Sequence, residues 1–242
     1  MANWNKFLFG GLGWALGGPI GGVLGLIIGS VVDHESQQRT GELSAQNATQ
    51  PGDFSVALLI LCGAVMKSDN KIMKSELDFV KDFFVKQFGM AAAQDKMLLF
   101  REILKQEYSL SEVCGQIKYN LDYPSKLQLI HLLFGIAGAD SEYHKNEIET
   151  IYTISSFLGI TEKDYISIKA MFIKDTTSAY KILEIEPFAT DDDVKKAYRQ
   201  MAVKYHPDKV FHLGPEIQAS AQDKFKMINE AYDQIKKERG MN

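Results

Sequence analysis

Phe7 to Val32, FLFGGLGWALGGPIGGVLGLIIGSVV, is a run of 26 residues without a charge. As one helix it would extend ~39 Å, at about 1.5 Å per residue. That exceeds the roughly 30 Å hydrocarbon core of a bilayer. A secretory signal peptide is the main rival, but the run is too long for a signal's apolar region and no small-x-small cleavage site follows it. A soluble glycine-rich hairpin is the remaining alternative. The run is read as a retained membrane helix, making residues 1–32 an anchor. Nine of its residues are glycine, and Gly13, Gly17, Gly21, Gly25 and Gly29 recur every fourth position. Small residues at that spacing let two helices approach closely in lipid, which points to a homodimer through this stripe. The bland alternative is that glycine is common in membrane helices. Pro19 interrupts the helix midway.

Residues 33–53 are polar, rich in Gln, Ser and Thr, and read as a linker of about 25 Å reach. From 54 to 174 the apolar spacing is helical throughout, with helices expected over 54–68, 74–88, 92–107, 110–119, 124–139, 145–158 and 162–173. In the fifth, Leu127, Ile130, Leu133, Phe134 and Ala137 share one face. The chain is therefore expected to be all-α. Cys62 and Cys114 both lie in apolar helical patterns and read as reduced buried thiols. The formal net charge of −4 argues against a nucleic-acid partner.

A repeat lies inside this bundle. AVMKSDNKIMKSELDFV (64–80) aligns with GIAGADSEYHKNEIETI (135–151), pairing Asp69 with Asp140, Lys74 with Lys145, Glu76 with Glu147 and Leu77 with Ile148. Two related hairpins about a pseudo-twofold axis would bring the four carboxylates together. A divalent cation held by Asp69, Glu76, Asp140 and Glu147 is one reading. The other is structural: each Asp accepts turn amides, and each Glu favours the positive end of the next helix. The Asp-to-Glu spacing excludes a calcium loop of the EF-hand kind. The module resembles the TerB-like domain, which implies a helical bundle with a suspected metal or ligand site.

Residues 175–242 form a second unit. TTSAYKILEI (176–185) opens it with a short helix. In TDDDVKKAYRQMAVKYH (190–206), Thr190 and Asp193 make a capping box, and Val194, Ala197, Tyr198, Met201, Ala202 and Tyr205 make an apolar stripe. Pro207 stops that helix at His206. After a loop, a last helix presents Ala221, Phe225, Ile228, Tyr232 and Ile235. The two long helices are expected to pack as an antiparallel hairpin with HPD at its tip.

AYKILEI, VKKAYRQMAVKYHPDK and KFKMINEAYDQIKK resemble the J-domain of the DnaJ co-chaperone family. The resemblance implies that His206, Pro207 and Asp208 engage a DnaK-type ATPase and stimulate its ATP hydrolysis. It also implies that Lys195, Tyr198, Arg199 and Lys204 approach an acidic face of that partner. Gln200 stands where many J-domains carry a basic residue. No Gly/Phe-rich segment or zinc-ribbon cysteines accompany the domain. In order, the anchor, TerB-like bundle and J-domain look like the DjlA-like membrane-anchored co-chaperones. Only KDTTS (174–178) separates bundle from J-domain, which suggests that the J-domain docks on the bundle.

The expectation is a single-pass protein of the bacterial inner membrane with its bulk in the cytoplasm, not itself an enzyme and requiring no cofactor. Charge around the anchor orients it poorly, so the cytoplasmic placement follows from the partner. The competing reading is a TerB-like metal- or ligand-binding stress sensor with the J-domain as an accessory output. An enzyme built on His206 and Asp208 lacks a nucleophile, and a zinc site with His212 lacks a fourth ligand.

Overall fold

The computed structural model describes residues 17–27, 54–69 and 71–241. All regular structure among them is helical, as the spacing predicts. The linker (33–53) and Gly13 and Gly29 of the stripe lie outside the described residues. So does most of the expected membrane helix, of which the model describes 17–27 as helix α1. No described helix is long and apolar enough to cross a membrane. Instead α1 buries Ile20, Val23 and Ile27 in the apolar core. The Gln116 amide clamps its start: Nε2 donates to the Gly17 carbonyl and Oε1 accepts from the Ile20 N–H, each at 2.8 Å. Gly18 sits there at φ 64°, and a Cβ on it would stand 3.0 Å from that Oε1. These two glycines therefore serve a contact with the bundle.

The bundle follows as α2 (Phe54–Met66), α3 (Lys74–Leu104), α4 (Leu110–Asn120), α5 (Tyr123–Ala137), α6 (Lys145–Leu158) and α7 (Glu162–Phe172). α2 is apolar all round, so it lies at the centre with 12 of its 13 residues buried. It touches α3, α4, α5 and α6. The expected break between 88 and 92 appears as a kink within α3, where Gly89 is non-helical at φ 77°, ψ 167°. Ser109, Asp122 and Thr161 cap α4, α5 and α7 by accepting backbone N–H groups. Cys62 and Cys114 are buried free thiols. Burial pushes both pKa values up, that of Cys114 to about 12, which suppresses thiolate chemistry.

The carboxy-terminal unit consists of α8 (Ser178–Ile182), α9 (Asp191–Lys204), a 3₁₀ helix η1 (Pro207–Leu213) and α10 (Pro215–Arg239). The segment expected as plain loop is thus mostly η1. Arg239 closes this unit. Its guanidinium donates to the carbonyls of Ala189 (2.6 Å) and Pro187 (2.7 Å) and lies over the Tyr180 ring. The connection to the bundle is a structured turn. Asp175 Oδ1 accepts from the Thr177 N–H at 2.9 Å, and its carboxylate pairs with Lys181. The unit docks on the bundle as the short connection suggests, through α7 against α8, α5 against η1, and α10 against α3 and α5.

Candidate functional site

Thr190 caps α9 with the expected box. Its Oγ1 accepts from the Asp193 N–H, and Asp193 Oδ2 accepts from the Thr190 N–H, both at 3.2 Å. Val194, Ala197, Met201 and Tyr205 bury one face of the helix. Helical hydrogen bonding ends at Tyr205, and His206 turns to φ −61°, ψ 132°, the extended geometry that a following proline requires. Pro207 then opens η1, and buried Val210 pins η1 to the core.

This arrangement turns two polar side chains outward on a fixed backbone. His206 and Asp208 have side chains 51% and 78% exposed, 3.5 Å apart between Nδ1 and Oδ2. The Asp208 N–H donates to His206 Nδ1 at 3.3 Å, and the edge of the His206 ring meets Phe225 with centroids 6.0 Å apart. Arg199 is exposed and Lys195 half-buried on the same helix. The remaining predicted partner residues are occupied within the chain. Tyr198 stacks on Tyr232 at 4.2 Å and donates to Asn229 Oδ1 at 3.0 Å. Lys204 reaches Glu184 Oε1 at 2.7 Å and Asp164 Oδ1 at 2.5 Å. Burial disfavours the Lys204 charge, but the two carboxylates outweigh it and hold its pKa above the usual value.

The face of the unit that meets the bundle is polar. Ser167 Oγ donates to the Ile182 carbonyl and Gln128 Nε2 to Ser220 Oγ, both at 2.8 Å. Ser125 Oγ lies 3.4 Å from His212 Nε2. Asp164, His131 and Lys224 are buried in the same region. Sequence reasoning missed all three, because they are buried where the two modules pack together, and Asp164 meets Lys204 and Tyr205 of the other module.

The acidic turns obey the repeat. Asp69 Oδ1 accepts from the Lys71 N–H and Asp140 Oδ1 from the Glu142 N–H, both at 3.0 Å. Glu76 accepts from the Met73 N–H at 2.7 Å and Glu147 from the His144 N–H at 3.3 Å. Glu76 and Glu147 are both buried, and they lie near enough to perturb each other's titration. Glu76 Oε1 meets no N–H or O–H donor. Burial, the neighbouring Glu147 and the nearby negative charges push the Glu76 pKa up to about 7. Each of the four carboxylates accepts a backbone N–H of its own turn, the structural alternative to a bound cation. Among the described residues no group of three or more His, Cys, Asp or Glu is arranged to hold one.

The raised Glu76 pKa has a measurable consequence. The folded Glu76 pKa of about 7 lies above the 4.5 of the free side chain, so the folded chain holds an extra proton between those values. Stability contributed here is complete below pH 4.5 and is lost as pH rises toward 7. Glu76→Gln keeps a capping oxygen and supplies a permanent N–H toward Glu147. Urea midpoints should fall between pH 5 and pH 7.5 in the parent, and this component of the fall should vanish in the variant.

A helical hairpin with an exposed His-Pro-Asp turn, entered from a helix carrying Lys195 and Arg199, defines a J-domain and therefore a protein of the DnaJ class. Comparison with known families agrees. Residues 178–240 match the DnaJ domain, 55–170 match the tellurite resistance protein TerB, and 1–43 match the co-chaperone DjlA transmembrane domain. The co-chaperone protein DjlA of Shewanella oneidensis is 29% identical over 269 residues, with all of both chains covered. That of Haemophilus influenzae is 24% identical, with 95% of this chain and 96% of the relative covered. The chaperone protein DnaJ of Fusobacterium nucleatum is 49% identical over 53 residues, covering 22% of this chain and 14% of its own. No solved structure matches. The chain belongs to the DjlA-like branch of the DnaJ co-chaperone family, with the amino-terminal match marking a membrane anchor.

Proposed function

We propose that this co-chaperone recruits a DnaK-type ATPase to the cytoplasmic face of the bacterial inner membrane and accelerates its ATP hydrolysis through His206, Pro207 and Asp208. The observation that carries the reading is that the HPD turn stays exposed while the J-domain is docked. Docking uses Lys204, Tyr205, α8, η1 and α10, and leaves His206, Asp208 and Arg199 open to solvent. The bond that breaks is in ATP held by the partner. Lys195 and Arg199 supply attraction toward an acidic surface, while the rigid turn presents Asp208 at low entropic cost.

Electrostatic recruitment is tested by the concentration of chain needed for half-maximal stimulation of partner ATP turnover. That concentration should rise by about tenfold in Lys195→Glu/Arg199→Glu, and should rise with salt in the parent. A salt-independent stimulation equal in both proteins would count against the reading.

A further inference from the structure

Asp164 belongs to the bundle, yet half of its hydrogen bonds come from the J-domain. It is the third residue of α7, and its side chain is only 2% exposed. Within the bundle, Oδ2 accepts from Thr161 Oγ1 and from the Tyr123 hydroxyl, both at 2.7 Å. From the J-domain, Oδ1 accepts from the Tyr205 hydroxyl at 2.8 Å and from Lys204 Nζ at 2.5 Å. Lys204 and Tyr205 are the two residues immediately before His206. Burial disfavours the Asp164 charge, but the Lys204, Thr161 and Tyr123 bonds overcome it and hold the carboxyl below its usual range. One buried carboxylate thus fixes both ends of a short lever. Thr161 and Tyr123 aim it, and it grips the last helical turn before the HPD loop.

We infer that Asp164 is a positioning residue through which the bundle sets the HPD loop, with Lys204 acting as the pin it holds instead of as a contact for the partner. The functional half of this inference rests on the chaperone-stimulation reading above. The structural half does not. Four donors on one carboxylate leave little freedom for the α9 terminus. Losing the grip should let residues 204–213 move while the rest of the J-domain stays folded, since its core is held by Val194, Met201, Ile228 and Ile235.

The test uses the full chain in detergent, as the parent, Asp164→Asn, Lys204→Met and the double variant. Hydrogen–deuterium exchange of amides 204–213 should rise in both single variants, with 191–200 unchanged. The chain concentration for half-maximal ATPase stimulation should rise about fivefold through lost pre-organisation, with the plateau of stimulation unchanged. The double variant should raise exchange by less than the sum of the single variants, because both break the Lys204–Asp164 link. General destabilisation would instead add and would raise exchange across α8 to α10. Unchanged exchange at 204–213, or additive effects, would overturn the inference. If the parent stimulates no partner, the stimulation reading fails while the exchange arm still decides the role of Asp164. If Asp164→Asn unfolds the bundle, seen as exchange throughout 123–172, Lys204→Met carries the same expectation, and unchanged exchange in it would overturn the inference.

Discussion

Lys224→Met is expected to stabilise the chain by about 1–3 kcal/mol at pH 7, and to flatten its stability between pH 7 and pH 10. Lys224 is only 3% exposed and lies with Nζ 4.7 Å from the centre of the Tyr205 ring. Burial pulls its pKa down to about 7, against a supporting field from Asp164. His131 is buried nearby on α5 with neither ring nitrogen hydrogen-bonded, and burial and the Lys224 charge hold its pKa well below the ordinary histidine value. Two bases therefore meet where the J-domain packs on the bundle.

The sign follows from proton counts. The folded amine titrates near 7 and the free one near 10.5, so the unfolded chain binds the extra proton between those values. Stability must rise with pH through that window, by at most ~1.4 kcal/mol per unit. Methionine fills a similar volume and binds no proton. Denaturant midpoints at pH 7, 8.5 and 10 would measure the effect. A parent whose midpoint falls over that range, or a variant that melts below the parent at pH 7, would contradict the placement of Lys224.

The features readable from sequence are those whose signals are local. Thr190 with Asp193, the apolar stripe of α9 and the stop at Pro207 fixed the hairpin, because caps, periodicity and proline act within a few residues. The acidic repeat was readable for the same reason, since each Asp and Glu binds an amide two or three positions away. The two glutamates of the repeat are both buried and perturb each other's titration, with Asp69 acting on both and Asp140 on Glu147. The interface between modules was not readable. Asp164 to Tyr205 spans 41 residues and Gln128 to Ser220 spans 92. A helical wheel places Lys204 on the polar side of α9, and that side can face another domain as well as solvent. Lys224 sits just before Phe225 of the apolar face, yet it is buried where the half-buried Phe225 is not.

The anchor shows how two demands can fall on one stretch of sequence. An uncharged, glycine-striped run is compatible with lipid, and residues 1–43 of the chain, which contain it, match a transmembrane domain. The described part, 17–27, is seated on the bundle by Gln116 and by Ile20, Val23 and Ile27. Glycine permits both, since it lets a helix approach either another helix in lipid or an amide side chain in the bundle.

The largest functional effect is expected at the HPD turn. Asp208 is 78% exposed and lies outside the core, and its side chain pairs with His206. Asp208→Asn removes the charge while preserving size, so a loss of activity would report on contact with the partner and not on folding. The decisive measurement is ATP turnover by a DnaK-type chaperone at saturating full-length chain, with the parent and Asp208→Asn compared at equal melting temperature. The parent should raise turnover severalfold, and the variant should lose the stimulation by at least about tenfold, equivalent to ~1.4 kcal/mol of lost coupling. Equal stimulation by both proteins, or none by the parent, would contradict the assignment of the HPD turn as the working end of this molecule.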